Sequence, residues 1–236
     1  MKTFASIPVS LQDVTVTYEQ WDMTTVALTG VTVDVTGPGW VLVTGPNGSG
    51  KSTLLNVIAG SIRPDSGNVS VLSADPYRMS PGRRASYMGV VRQRPEQSLV
   101  AGLTVAEHVR LIGLAWKSFA SELAQLDPAG EFSFLDGVRR QAADTLSGGQ
   151  RQALGLALQL VRDVPLLLLD EPFAALDPDK LVAFTEVLRR LSAKKCIFQV
   201  THNPEAFRHD ADVEIQLKAG TALTVDLRQA QPSERT

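Results

Sequence analysis

A glycine-rich segment constrains the fold of this 236-residue chain more than any other feature. Gly45, Gly50, Lys51 and Ser52 have the spacing Gly-x4-Gly-Lys-Ser and directly follow the apolar run 40–43. Glycines let successive backbone N–H groups turn inward around phosphate oxygens, and a following helix adds the positive end of its dipole. In a strand–loop–helix context, this pattern predicts a phosphate-binding loop in an α/β fold.

The polar side chains of this loop have chemical roles in that prediction. The Lys51 ammonium is expected on the β- and γ-phosphates, and the Ser52 hydroxyl is expected to reach Mg²⁺. A glycine-rich turn that merely caps a helix is the alternative, and the spacing together with the flanking elements disfavours it. The expected nucleotide-binding residues of the loop are Gly45, Pro46, Asn47, Gly48, Ser49, Gly50, Lys51, Ser52 and Thr53.

Two carboxylates follow a second apolar run, 166–169. The carboxyl ends of strands are where open α/β sheets bind ligands, so Asp170 and Glu171 should lie beside the phosphate loop. Asp170 is expected to hold the Mg²⁺ shell directly or through water. Glu171 is expected to face the γ-phosphate and to orient or deprotonate the attacking water. Sequence alone leaves open that Glu171 only solvates a strand end before Pro172.

Hydrophobic periodicity predicts strands and helices on both sides of a mostly helical middle segment. The predicted strands are 9–18, 31–36, 40–43, 69–72, 86–91, 166–169, 196–201, 212–217 and 222–226. Helices are predicted from Lys51 to a stop at Gly60, after a capping box formed by Thr104 and Glu107, and over 118–126, 148–162 and 178–191. The resulting fold class is an α/β core with a helical insertion from about 93 to 163.

Composition excludes several function classes. An apolar fraction of 44% is typical of a globular chain and excludes disorder. With 23 basic and 25 acidic residues the net charge is −2, so we expect no nucleic-acid partner. The single cysteine, Cys196, excludes an internal disulfide and fits a reducing compartment. Without a membrane-length apolar run or a signal peptide, the sequence predicts a cytosolic chain that can still dock on a membrane protein.

A second anion-binding feature precedes the strongly apolar helix. Ser147 suits an N-cap, and Gly148 and Gly149 leave the first N–H groups of the helix bare. By itself this segment would be an ordinary helix cap. Its combination with the phosphate loop and the acidic strand end makes it informative.

Taken together, these segments resemble the nucleotide-binding subunit of ATP-binding cassette (ABC) transporters over about residues 9–225. Six motifs occur in the order of that family: Walker A at 45–53, the Q-loop at Gln93, the signature LSGGQ at 146–150, Walker B at 166–171, the D-loop at 175–177 and the switch histidine at His202. An aromatic residue, Tyr18, lies upstream where the family stacks adenine. LSGGQ between Walker A and Walker B is a highly specific combination.

The resemblance implies a phosphate-loop NTPase core of ABC type with an inserted helical subdomain and an antiparallel β region. The ATP-binding domain would span 1–226, followed by a polar tail at 227–236. ATP and Mg²⁺ are the implied cofactors. Implied catalytic residues are Glu171, His202 and Gln93; implied metal residues are Ser52, Gln93 and Asp170; implied nucleotide contacts are Tyr18, the loop residues 45–53, Ser147, Gly148, Gly149, Gln150 and Asp177.

Some of these residues have plainer alternatives. Gln93 can be an exposed loop amide, and His202 can be structural. Asp177 followed by Pro178 is a good helix N-cap, a role that can coexist with a dimer contact. Tyr18 can be an ordinary sheet residue.

The resemblance also implies partners and a location. Two subunits would face head to tail, each ATP lying between Walker A of one and the signature of the other. A separate transmembrane permease would contact the helical segment and hold the subunit on the cytoplasmic face of the membrane. A soluble ABC-type ATPase in assembly or nucleic-acid processes is the alternative, while the signature disfavours a kinase or GTPase. Cargo, direction of transport and homo- or heterodimer formation are left open.

Overall fold

The apolar strand that leads into the phosphate loop lies inside a six-stranded sheet of the computed structural model, which describes residues 9–20, 23–93, 98–173 and 178–227. This strand, β3, has parallel neighbours on both sides. In chain order the strands of this sheet are β3 Gly39–Thr44, β5 Met88–Val91, β6 Leu166–Asp170, β7 Cys196–Val200, β8 Val213–Lys218 and β9 Thr221–Asp226. The spatial order is β5-β6-β7-β3-β8-β9, and β9 pairs antiparallel with β8.

A smaller antiparallel sheet has the spatial order β2-β1-β4. Its strands are β1 Val9–Gln20, β2 Met23–Val35 and β4 Ser66–Val71. Alternate residues of β1 such as Val14 and Val16 are buried, because one face of this sheet packs on the core. The two sheets approach each other where the backbone N–H of Thr29 donates to Gly220 O at 2.8 Å.

Seven α-helices are described, with short 3₁₀ turns at 143–145 and 204–206. They are α1 Lys51–Ile58, α2 Pro81–Tyr87, α3 Val105–Leu111, α4 Trp116–Leu126, α5 Phe134–Gly137, α6 Gly148–Leu160 and α7 Pro178–Ser192. In the described part of the chain, none of these helices is long and apolar enough to cross a bilayer.

The strands β5, β6, β7 and β3 of the six-stranded sheet are buried on both faces, as their continuous apolar runs predict. Val41 and Val43 of β3 join a core with α1 and the small antiparallel sheet. Trp40 and Leu42 point to the opposite face and join a core with residues of α3, α4, α6 and α7. The period of two along β3 therefore separates the two cores and fixes the loop after Thr44 between them.

Most predicted elements occur, with shifted ends. The predicted strand 86–91 is wrong in its first two residues, which belong to α2. Ser80 caps this helix by accepting a hydrogen bond from Arg83 N at 3.3 Å, and Pro81 occupies its first turn. Proline at the first helical position is favourable, and Ser-Pro was the local signal for this helix. The predicted strand 31–36 is likewise part of a longer strand that begins at Met23.

The helical middle segment follows β5 and ends before β6. It contains α3, α4, α5 and α6, and the expected capping box is formed, because Thr104 and Glu107 hydrogen-bond to each other's backbone N–H. The mixed α/β class with an antiparallel region is confirmed. The division into a domain at 1–226 with a subdomain at 93–163 stays a prediction.

Candidate functional site

The phosphate loop connects β3 to α1 in a backbone conformation that requires glycine. Gly45 has φ 142° and Gly50 has φ 100°, both in the region that side-chain-bearing residues avoid. A Cβ on Gly45 would lie 2.1 Å from Leu217 O, and one on Gly50 would lie 2.4 Å from Ala27 O. Neighbouring backbone from β8 and β2 therefore leaves no room for a side chain at either position.

The Lys51 ammonium is held inside the curve of this loop. Its Nζ donates hydrogen bonds to Gly45 O at 2.8 Å and Pro46 O at 2.9 Å, and the residue is buried. Lys51 is also the first residue of α1, so its charge lies at the positive end of the helix dipole. The loop therefore concentrates positive potential where an anion would bind.

Oxygen ligands meet between α1 and the end of β6. The Ser52 hydroxyl donates to Asp170 Oδ1 at 3.2 Å. Burial raises the pKa of the Asp170 carboxyl, the Ser52 hydrogen bond lowers it, and the neighbouring charge of Glu171 raises it again. A hydroxyl and a carboxylate beside a phosphate loop are the hard oxygen donors that Mg²⁺ prefers, so the residues present fit this ion.

Glu171 and His202 extend from the ends of two adjacent strands. Nδ1 of His202 lies 3.6 Å from Oε2 of Glu171, and the Glu171 N–H donates to Val200 O at 3.1 Å. Glu171 has φ 49°, a left-handed conformation that is unusual for a residue with a side chain. Strained backbone of this kind occurs preferentially at functional sites, where the surrounding structure enforces it.

A cleft of about 650 Å³ brings together Lys51, Glu171 and His202. Its lining contains Tyr18, Thr25, Ala27, Asn47, Gly48, Gly50, Lys51, Ser52, Thr53, Gln93, Glu171 and His202. Of the expected residues in the described ranges, Gly45, Pro46, Ser49, Asp170 and the 147–150 segment are not part of this lining. Thr25 and Ala27 were not predicted, because they come from β2, which is distant in sequence and carries no motif there.

Tyr18 lies at the open edge of the cleft. Its side chain is on β1, 40% of the residue is exposed, and its hydroxyl is 3.2 Å from the Thr53 hydroxyl. A half-exposed aromatic ring beside the phosphate loop offers a flat apolar surface that can stack on a base.

Gln93 lies between this cleft and a second cavity of about 360 Å³. The second cavity is lined by Leu55, Asn56, Val90, Val91, Arg92, Gln93 and Asp170. Gln93 comes two residues after Val91, the last residue of β5, so it lies where the sheet leads into the helical segment. It therefore borders the cleft, the second cavity and the beginning of that segment.

The signature segment forms the exposed N-terminus of α6. Ser147 Oγ accepts from Gln150 N at 3.3 Å, and Gln150 Oε1 accepts from Ser147 N at 2.9 Å. Among the described residues, no atom lies within 4 Å of a Cβ placed on Gly148 or Gly149. This helix end is therefore open with respect to the described part of the chain. Asp177, the remaining expected contact, lies outside the described residues.

Comparisons with known proteins identify the family of this chain. A family model described as ABC transporter matches residues 28–174. The chain is similar to the thiamine import ATP-binding protein ThiQ of Rhizobium meliloti (strain 1021), with 36% identity over 79% of this chain and 78% of that protein. It is also 36% identical to ThiQ of Brucella suis biovar 1 (strain 1330), over 87% of this chain and 82% of that protein.

A solved structure extends the similarity to the whole fold. It is the dimeric post-hydrolysis state of the ATP-binding cassette MJ0796 bound to ADP and Pi, with 27% sequence identity and a TM-score of 0.80. The match covers 93% of this chain and 99% of that chain. That neighbouring structure is dimeric and holds ADP and Pi.

Proposed function

The chain belongs to the ABC transporter family as an ATP-hydrolysing subunit, and from this premise we propose which of its residues bind and cleave ATP. The observation that carries the proposal is the meeting of Lys51, Glu171 and His202 in one cleft next to the Ser52–Asp170 contact. The N–H groups of the loop 45–53 would hold the phosphates, with Lys51 on the β- and γ-phosphates. Tyr18 would stack on the adenine.

A magnesium ion fits the oxygen donors of Ser52 and Asp170, with Gln93 as a further ligand from the edge of the cleft. When bound, the ion would neutralise charge on the phosphate oxygens. Asp170 has to be ionised for this role; burial raises the pKa of its carboxyl, and the Ser52 hydrogen bond opposes that rise.

Glu171 is the proposed group that orients the attacking water or accepts its proton. Its carboxylate is mostly buried yet lines the cleft, and the strained backbone fixes its direction. His202 would contact the γ-phosphate, where an imidazole N–H can stabilise the charge that develops on the transferred group. The 3.6 Å approach of the two side chains supports the proposal that both act at the same phosphate.

A second subunit would complete the site. Gly148 and Gly149 lie at the exposed N-terminus of α6, beside the Ser147–Gln150 cap, and among the described residues of the cleft lining none comes from this segment. An isologous twofold pair would bring the signature of each chain, with Gln150 and Asp177, to the ATP of the other. The γ-phosphate would then hold the pair together until hydrolysis weakens the contact.

A transmembrane permease is the proposed second partner, and the helical segment is the proposed contact surface. Gln93 would connect this contact to the nucleotide. The subunit would lie at the cytoplasmic face of the membrane through the permease.

The ThiQ relatives point to a cargo. Both are thiamine import ATP-binding proteins, so we propose that this chain powers thiamine uptake. Reconstitution with its permease in vesicles, with a thiamine-binding protein outside, tests this. We expect thiamine-dependent ATP hydrolysis and uptake of labelled thiamine. Unchanged hydrolysis on adding thiamine, with stimulation by another solute, would reassign the cargo while leaving the ATPase intact.

ATP hydrolysis by the purified chain tests the proposed site. We expect Mg²⁺-dependent phosphate release that rises more steeply than linearly with protein concentration, because two copies form each site. Hydrolysis that is linear in protein concentration far below the dimer dissociation constant would contradict the shared site.

A further inference from the structure

A buried carboxylate lies behind the phosphate loop, outside the lining of the cleft. Glu214 of β8 is only 2% exposed, and both of its oxygens have partners. Oε1 accepts hydrogen bonds from Thr44 Oγ1 at 2.8 Å and from Arg208 Nη2 at 2.9 Å, and Oε2 accepts from Arg208 Nε at 3.0 Å. A two-pronged guanidinium–carboxylate pair is geometrically rigid, so the three side chains form one connected unit.

This unit joins the two loops that reach the proposed γ-phosphate position. Thr44 is the last residue of β3 and immediately precedes Gly45, the first glycine of the phosphate loop. Arg208 lies six residues after His202, in the segment that follows β7. Glu214 therefore bridges the strand that carries the phosphate loop and the segment that carries His202.

Local hydrogen bonds connect the residues between His202 and Arg208. Asn203 N donates to Thr201 Oγ1 at 3.1 Å, and Arg208 N donates to Pro204 O at 2.9 Å. The Arg208 guanidinium also pairs with Glu205 in the short 3₁₀ turn. A shift of the guanidinium would therefore move the turn that begins next to His202.

The carboxylate stays charged despite its burial. Burial opposes ionisation, but the hydrogen bonds from Arg208, Thr44 and Gln216 outweigh it and lower the pKa of Glu214. A charged partner keeps its contacts with Arg208 shorter and stronger than a neutral amide would.

We propose that Glu214 and Arg208 are positioning residues for ATP hydrolysis, which fix the His202 segment relative to the phosphate loop. The inference rests on the proposed role of His202 at the γ-phosphate. Neither residue touches the nucleotide in this account; each acts through His202 and the strand before Gly45.

The substitutions Glu214→Gln and Arg208→Gln test the inference first by separating turnover from binding. We expect kcat to fall about tenfold in each, since contacts within one network are coupled, while the Kd for ATP changes less than about twofold. Glu186→Gln is the matched control, because Glu186 also pairs with arginines, Arg189 and Arg190, but on the surface of α7. It should leave kcat unchanged.

A double-mutant cycle with His202→Ala distinguishes positioning from a general structural role. Once the imidazole is absent, Glu214→Gln should cause no further loss in kcat. A full additional tenfold loss in the His202→Ala background would overturn the inference. If His202→Ala alone leaves kcat unchanged, the proposed role of His202 fails instead.

Variants at Arg208 and Thr44 test the inference even if a Glu214 variant fails to fold. The Arg208 side chain is 37% exposed, so Arg208→Lys should fold even if a Glu214 variant does not. Lysine keeps the charge but lacks the two-pronged geometry, and we expect the same loss as with Arg208→Gln. Thr44→Ser, which keeps the hydroxyl, should retain wild-type turnover, whereas Thr44→Val should not. Wild-type kcat in Arg208→Lys and Thr44→Val would overturn the proposal.

Discussion

The two anion-binding regions of this molecule differ in how complete they are. The phosphate loop is enclosed by its own chain: Lys51 is buried, and Ser52 contacts Asp170. The N-terminus of α6 has satisfied its cap through Ser147 and Gln150, yet its glycines face open space. The phosphate loop therefore has the groups to bind phosphate within a single copy. The N-terminus of α6 has N–H groups for an anion, but that anion would have to come from another molecule. This difference supports the proposal that the hydrolytic site is shared between copies.

The largest effect is expected on the enclosed side, at Glu171. Glu171→Gln keeps the size and shape of the side chain but removes the base, so kcat should fall by about 10²- to 10⁴-fold. ATP binding should persist and the ATP-bound dimer should accumulate, as measured by phosphate release and size-exclusion chromatography. The control Glu186→Gln, on the surface of α7, should behave as wild type. Turnover at the parent rate would remove Glu171 from the reaction.

The second-largest effect is expected for Lys51→Ala, which should weaken ATP binding and not only turnover. Loss of a buried ammonium on the phosphates should weaken ATP binding by about 2–4 kcal/mol, roughly 30- to 700-fold in Kd. Calorimetry with ATP measures this directly. The exposed Lys218 of β8 supplies the control, since Lys218→Ala should not change Kd. Equal affinities in both variants would contradict the phosphate-loop assignment.

A substitution at the N-terminus of α6 should reduce hydrolysis rather than ATP binding, in contrast to Lys51→Ala. Among the described residues, no atom lies within 4 Å of a Cβ placed on Gly148, so Gly148→Glu should fold normally while placing a negative charge at the helix end proposed to contact the partner's γ-phosphate. We expect hydrolysis to fall about ten- to a hundredfold, because like charges at an interface repel. Binding of ATP to the monomer should stay within about twofold, and Gly148→Ala is the neutral control. A large loss of monomer binding would place the signature in the same copy's site.

The smallest effect is expected at Tyr18. Tyr18→Ala should weaken ATP binding about five- to tenfold, the usual contribution of a base stacked on an aromatic ring. Tyr18→Phe removes only the hydroxyl contact with Thr53 and should retain most of the affinity. If GTP and ATP affinities change equally in Tyr18→Ala, stacking without base selectivity is supported. No change in either would remove Tyr18 from the site.

The enclosed region was also the more predictable one. Its spacing of glycine, lysine and serine determines a backbone conformation, so Lys51 and Ser52 could be placed from local sequence. Likewise, the apolar run before Asp170 predicted a buried strand and its end. Thr25 and Ala27 could not be predicted, because they reach the cleft only through the packing of β2 over the loop.

Boundaries without a repeating pattern were the least predictable part of the fold. Residues 23–26 of β2 are all exposed, so no alternation marked the beginning of that strand. The helix α2 contains no buried residue, and only its Ser80–Pro81 cap identifies it. The Glu214 network could not be predicted from the sequence either. Its members are brought together by the register of β3 and β8 and by the fold of the segment after His202.

A cysteine crosslink between differently tagged copies tests the shared site most directly. One copy carries Asn47→Cys in the phosphate loop and the other carries Ser147→Cys; both positions are exposed, whereas burial raises the pKa of the native Cys196 thiol to about 12 and keeps it unreactive. Both copies also carry Glu171→Gln to retain ATP. The account predicts a disulfide between the two tags that requires ATP and disappears with Lys51→Ala. Its absence in ATP, or equal yield without ATP, would contradict the claim that two copies of this chain hold one nucleotide between them.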